Sequence, residues 1–382
     1  METIVSDRPE SFAWSVWAKR HPILIKQIQD AFPYPAEVHR ALDALLEETL
    51  SGVIQRLPAD AHDFALWEDW DRGWYGGSWL SAPFLWAESY FYRRLLEAVG
   101  YFRPGPWQGI DLFGPAKHAE LRTPTVEAEL TALDDVAGLP LTEQRRALLE
   151  AALWGNRADL GFRITAAAEG PSTDLVADDS AQLWSILDAA SPNATVHLVA
   201  DNAGRELLAD LILVDHLLTT GAATRVVMHV KPQPYYVSDA TGADVIAVLR
   251  RITSAPGTAA KAGHRLWTAL TDGAITLRTH PFWCAPLTFR HLPPDLTEAM
   301  SPATLTILKG DLNYRRLIGD RTWPPTTPFT DLTAYFPTPV AALRTLKSDV
   351  AVGLTPPTIT QLDATATAWR TTGEHALIQV RA

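Results

Sequence analysis

The feature that most constrains this chain is a change of rhythm near residue 190. Before it, apolar residues recur at the three- and four-residue spacing of amphipathic helices, over residues 36–57, 86–99, 142–154 and 176–190. Pro35 suits the start of the first of these, and Thr142 the cap of the third. Beyond it, short β-branched runs alternate with apolar-faced helical stretches. Residues 194–200 read ATVHLVA, 225–230 read RVVMHV and 303–308 read ATLTIL. Each fits a buried strand. Residues 205–218 and 239–252 carry helical periodicity between them, with Ser238 or Asp239 as the expected cap of the second. Residues 349–354 and 376–380 are two further strand candidates. Strands alternating with helices predict an α/β fold with a mostly parallel sheet covered on both faces. The expected organisation is a helical N-terminal domain over residues 1–190 and an α/β domain over 191–382. Residues 256–302 carry no clear pattern, and the Pro-rich residues 324–339 read as an ordered connecting loop.

Composition sets the outer limits. Hydrophobic residues make up 47% and charged residues 20%, enough apolar material for a large core. Lys plus Arg number 33 against 44 Asp plus Glu, a net charge of −11, which argues against sequence-independent nucleic-acid binding. A single cysteine, Cys284, excludes an internal disulfide and any multi-cysteine metal site. Residues 1–10 carry Glu2, Asp7 and Glu10 without an apolar core, unlike a signal peptide, and no run approaches 18 uncharged apolar residues. The expectation is a soluble cytoplasmic protein with no membrane contact.

In open parallel sheets, ligands bind outside the carboxyl ends of the strands. That rule selects Asp201, Asn202 and Gly204 after the first run, and His229, Lys231, Ser238 and Asp239 at and after the second. After the third it selects Lys309, Gly310, Asp311, Asn313, Tyr314 and Arg315, and before residues 349–354 it selects Arg344 and Lys347. Asp201, Asn202 and Asp239 offer three oxygen ligands for a hard divalent cation. Lys309, Arg315 and Lys347 offer positive charge for an anionic substrate. A metal with a basic clamp is what phosphoryl chemistry requires. Each residue also has a plainer role. Asp201-Asn202 and Asp239 suit helix caps, and Arg344 with Lys347 suits a solvated helix face. His229 and Cys284 suit the core.

Several segments resemble the damage-control phosphatase family, one subgroup of which is also described as a protein-glutamate methyltransferase. DNAGRELLADLILVDHLL from Asp201 resembles the family's metal-site motif. ESYFYRRL from Glu88 resembles an N-terminal helix, and LWGNRADL from Leu153 the segment before the α/β core. HVKPQPYYVSDA from His229 resembles the stretch with the second aspartate, KGDLNYRRLIGDRTWP from Lys309 the substrate loop. RTLKSDVAVGL from Arg344 contains the Arg-Thr-x-Lys motif of the third subfamily, and WRTTGEHALIQV from Trp369 resembles the closing strand. The resemblance implies a helical N-terminal domain packed on a Rossmann-like α/β/α sandwich. It implies a divalent cation (Mn²⁺, Ni²⁺, Co²⁺ or Mg²⁺) on Asp201, Asn202 and Asp239, and substrate contacts from Asp311, Asn313, Arg315 and Lys347. The implied substrate is a small phosphorylated metabolite such as fructose 1-phosphate or fructose 6-phosphate. Arg205 departs from the apolar or aromatic residue expected after the glycine and would add charge near the metal.

The expected activity is therefore metal-dependent phosphomonoester hydrolysis. Lys347 and Arg315 clamp the phosphate, Arg315 through a two-pronged guanidinium contact. Asp311 and Asn313 meet sugar hydroxyls or orient the phosphate. A metal-activated water is favoured over Asp201 or Asp239 as nucleophile, because a carboxylate committed to a metal attacks poorly. The alternatives are an S-adenosylmethionine-dependent protein-glutamate methyltransferase and a non-catalytic sugar-phosphate-binding protein.

Overall fold

The computed structural model describes residues 1–155, 174–190, 192–364 and 368–382. Among the described residues, seven strands form one sheet: β1 (Leu175–Asp178), β2 (Thr195–Val199), β3 (Arg225–Val230), β4 (Ile275–Thr279), β5 (Leu305–Lys309), β6 (Val340–Thr345) and β7 (Ala376–Arg381). Their spatial order is β1-β7-β6-β5-β2-β3-β4, and every neighbouring pair is parallel except β6 with β7. All five residues of β5 and all six of β6 are buried. Helices cover both faces, as a parallel sheet requires.

Three expectations change. Residues 176–190 divide into β1 and a helix, Ser180–Ala190, so the sheet takes its first strand from chain assigned above to the helical region. Residues 349–354 are not a strand. The strand is β6, just upstream, and Val350 and Val352 are buried in the loop that follows it. The unplaced region 256–302 holds the Gly257–Thr271 helix and β4. The Pro-rich connection contains a short helix, Phe329–Thr333.

The N-terminal region has its own core. Trp17 and Trp79 are fully buried and Trp67 is nearly so, within a cluster that includes Tyr90, Phe91 and Leu95 of the Phe84–Ala98 helix. Tryptophans bury large area and pack at defined ring angles, and Trp79 stacks on Tyr90 at 5.8 Å. This region docks on the α/β region through polar and aromatic contacts. Tyr235 Oη donates to Ser89 Oγ at 2.6 Å, and Tyr92 meets Tyr236 at 4.5 Å between ring centres.

Candidate active site

Successive connections carry the chain from β2 outward through β3 to β4, whereas β5 and β6 lie on the other side of β2. The switch point of the sheet is therefore the crevice between β2 and β5, where ligands of open α/β sheets bind. A cavity of about 200 Å³ opens there. Asp201, Asn202, Asp239, Asp311, Arg315 and Lys347 all line it. Asn313 does not. It is fully buried, and its Nδ2 donates to the carbonyls of Ala200 at 3.3 Å and Lys309 at 2.8 Å, tying the ends of β2 and β5 together.

The acidic side is built by two turns. Asp201 and Asn202 leave the end of β2, and the next helix, Gly204–Thr219, starts after Ala203 without a side-chain cap. Asp239 is no cap either. Thr241 caps the Gly242–Thr253 helix in a reciprocal pair with Asp244. The two turns pair as antiparallel backbone at Asn202 and Asp239. Ala240 N donates to the Asp201 carbonyl at 2.8 Å. Buried Lys117 fixes the second turn, donating to the Asp239 carbonyl at 2.7 Å and bridging Asp111 and Asp244. Gly310, directly after β5, has φ +82°, and a Cβ there would lie 1.8 Å from Asp201 Oδ2. Only glycine fits that close approach.

Charge at this side is unbalanced. Burial, then the nearby Glu206 and Asp239 carboxylates, hold the Asp201 carboxyl well above its ordinary range, and Lys231 and Lys347 only partly oppose this. The Lys231 ammonium is buried with no hydrogen-bond acceptor among the described residues. Asn202 Nδ2 donates to Asp201 Oδ2 at 3.0 Å and to Glu206 Oε2 at 2.9 Å, while its Oδ1 accepts from Ser238 Oγ at 2.5 Å. Among the described residues, no three His, Cys, Asp or Glu side chains gather into a ready metal-binding group.

The basic side differs in detail from the sequence expectation. Lys347 is exposed in the turn after β6 and lines the cavity. Arg344 is not on a helix face. It is fully buried on β6 and pairs with Asp311 at 2.7 Å. Asp311 also accepts from Ser348 Oγ at 3.1 Å. Burial pushes its carboxyl up, but Arg344 and Arg315 outweigh this and hold it below its usual range. The two-pronged face of Arg315 is already engaged, with Nε and Nη2 each 2.8 Å from Asp320, so only Nη1 remains, 3.5 Å from Glu88 Oε2. Lys309 offers nothing to a substrate, because it is buried and paired with Glu206 at 3.2 Å and Asp210 at 2.8 Å. Arg205 turns away from the cavity to pair with Glu129. His229 contacts His197 at 3.0 Å within the core, and burial lowers its pKa to about 3. Burial pushes the Cys284 thiol up to about 12.

Sequence reasoning missed several lining residues: Phe12, Arg20, Tyr92, Trp154, Glu206 and Tyr236. Glu88 sits in a segment quoted for its resemblance but with no role assigned; its burial lifts its carboxyl to about 7 against the pull of Arg315. Glu206 had a local signal, since it stands four residues after Asn202 on the first turn of a helix. Phe12 and Arg20 had none.

The fold places the chain in a known structural class. A DUF89 family protein from Pyrococcus horikoshii aligns with a TM-score of 0.52 at 13% identity, over 95% of this chain and 96% of that one. A family model described as the damage-control phosphatase ARMT1-like domain matches residues 16–362. Relatives named damage-control phosphatase ARMT1 from Danio rerio and Mus musculus are 31% and 32% identical over 333 and 329 residues. Each alignment covers 79% of this chain and 74% of the relative. The chain belongs to the ARMT1-like damage-control phosphatase family and is, with that family, a hydrolase. Among the described residues, no helix is long and apolar enough to cross a membrane.

Proposed function

We propose that this protein is a divalent-cation-dependent phosphomonoesterase acting on small phosphorylated metabolites, with sugar phosphates such as fructose 1-phosphate or fructose 6-phosphate as the substrate class. The observation that carries the reading is the pairing of opposites in one crevice. Asp201, Asn202 and Asp239 face a cavity whose other wall presents Lys347 and the Nη1 edge of Arg315, which lies 3.5 Å from Glu88.

The donor set fits a hard cation. It combines two carboxylates with an amide oxygen, its negative charge has no hydrogen-bonded cation among the described residues, and Gly310 leaves room for the Asp201 carboxylate. When bound, the cation supplies electrophilic stabilisation of the charge on the phosphoryl group. The chain does the rest. Lys347 binds a phosphate oxygen as a compact ammonium with three donors. Asp311, held by Arg344 and Ser348, fixes the turn that presents Lys347. Arg315, fixed by Asp320, offers one edge rather than a fork. Asn313 braces the crevice floor instead of meeting substrate. Glu88 and Tyr92 close the cavity from the helical side and exclude water from the reacting groups.

The test is phosphate release from p-nitrophenyl phosphate and a panel of phosphometabolites, with chelated protein reloaded with Mg²⁺, Mn²⁺, Co²⁺ or Ni²⁺. Cation-dependent turnover, highest on a sugar phosphate, is the expected result. Binding without turnover would leave a sugar-phosphate-binding protein. Methyl transfer from labelled S-adenosylmethionine to protein carboxylates, without phosphate release, would favour the methyltransferase.

A further inference from the structure

Glu88 enters the cavity from the Phe84–Ala98 helix, on a different wall from the Asp201 and Asp239 turns. Its Oε2 lies 3.5 Å from Arg315 Nη1, the guanidinium nitrogen that Asp320 does not hold. Its Oε1 makes no hydrogen bond among the described residues and is not sealed off from the cavity that Glu88 lines. A phosphate oxygen docked on Arg315 Nη1 is therefore a neighbour of this carboxyl. With the sugar lying toward the helical region, the oxygen that joins it to phosphorus comes within reach of Oε1.

That oxygen needs a proton. A sugar alkoxide is a poor leaving group, and a positioned acid with a pKa near the working pH serves it best. The other lining groups suit this task less well. Burial raises the Asp311 carboxyl, but Arg344 and Arg315 outweigh it and keep it ionised. Burial raises the phenols of Tyr92 and Tyr236, which makes them poorer acids. Lys347 is committed to the phosphate. Glu88 is lifted by burial to about 7, against the pull of Arg315 and Arg20 and with a smaller push from Asp320. It can give a proton near neutrality and take one back.

We propose that Glu88 is the catalytic general acid, protonating the bridging oxygen as the phosphorus–oxygen bond breaks. The electron pair of that bond goes to the bridging oxygen, which takes the Glu88 proton and leaves as the sugar hydroxyl. Water adds its oxygen to phosphorus. Both its protons stay at first on the phosphate, and one then returns to the Glu88 carboxylate. The sum is monoester plus water giving alcohol plus phosphate. The inference rests on the phosphomonoester hydrolysis of the proposed function and adds the proton donor.

The experiment compares fructose 1-phosphate with p-nitrophenyl phosphate, whose nitrophenolate leaves without a proton, using the full chain under the parent's best turnover conditions. Glu88→Gln keeps the shape and cannot transfer a proton. It is expected to lose about 100-fold or more in kcat/KM on fructose 1-phosphate, within the usual range for general acid catalysis, and less than tenfold on p-nitrophenyl phosphate. The parent's activity on fructose 1-phosphate should fall as pH rises through about 7, as the Glu88 proton is lost, and Glu88→Gln should lack that limb. Glu88→Asp, an acid on a shorter stem, should recover part of the loss and serves if the Gln variant does not fold. Equal losses on both substrates would make Glu88 merely structural and overturn the proposal, as would parental kinetics or an unaltered pH limb in Glu88→Gln. If the parent hydrolyses neither substrate, the phosphomonoesterase reading itself has failed, a result distinct from the loss of Glu88's role.

Discussion

Two groups of buried carboxylates share the end of this sheet and are treated in opposite ways. Glu206 and Asp210 meet the ammonium of Lys309 at 3.2 and 2.8 Å. Among the described residues Asp201 and Asp239 form no salt bridge, and Asp201 feels Lys231 and Lys347 only at a distance. Burying carboxylates is costly in either case. In the first group the chain carries its own counter-charge. In the second, on the proposed reading, the counter-charge comes with the cation. The contrast separates an acid cluster that the chain neutralises with its own lysine from one that it does not.

Breaking the open group has the largest expected effect on activity. Asp201→Ala and Asp239→Ala each abolish cation-dependent phosphate release, because a site with few ligands loses most of its affinity with one charged ligand. Their unfolding free energy without cation stays within about 1 kcal/mol of the parent, since neither side chain caps a helix. Urea titration alongside turnover checks both halves, and full turnover in either variant removes that residue from the site.

Breaking the closed group inverts the outcome. Lys309→Met leaves Glu206 and Asp210 buried without their cation and should cost about 3–5 kcal/mol of stability. The urea midpoint measures it; an unshifted midpoint would show that the ion pair contributes nothing.

Lys347→Ala should lower kcat/KM for the best sugar phosphate by about 10- to 150-fold, the worth of a charge-assisted hydrogen bond of roughly 1.5–3 kcal/mol. Lys347→Arg recovers only part, because a planar guanidinium does not replace a compact ammonium. Parental kinetics in Lys347→Ala would return this lysine to the surface.

The smallest effect is a pH slope. Glu88 titrates near 7 when folded, against an ordinary value of 4.5. The folded state then holds a proton that the unfolded state has released, so stability is full below about 4.5 and declines as pH rises to about 7. Glu88→Gln should flatten that decline, seen as melting temperatures that vary less between pH 5 and 7. An unaltered slope would place the titration elsewhere.

Much of this was legible in the sequence where elements follow period and composition. β2, β3 and the helices after them fell near their expected places because β-branched runs and apolar faces are local signals. β6 escaped because Val-Ala-Ala-Leu-Arg-Thr lacks the β-branched density of a strand, and its strand character comes from pairing with β5 and β7. The Asp239 cap was misjudged because Thr241, two residues further on, forms the better reciprocal pair with Asp244. Lys309 and Arg344 looked like free cations, since no local pattern announces partners such as Asp210 and Asp311, far away in the chain. Arg20 and Phe12 reach the cavity only through docking of the helical region, which spacing cannot encode.

The distance in sequence between the cavity walls has a consequence for synthesis. Glu88 and Arg315 meet across 227 residues of chain, and Lys347 comes later still. A growing chain folds from its N-terminal end, so Asp201 and Asp239 emerge long before β5 and β6 are available to complete the crevice. A nascent or truncated chain ending before β5 carries the acidic half of the site without its floor or its basic wall. Assembly of the cavity thus waits on β5 and β6, and the crevice is complete only once both have joined β2 in the sheet.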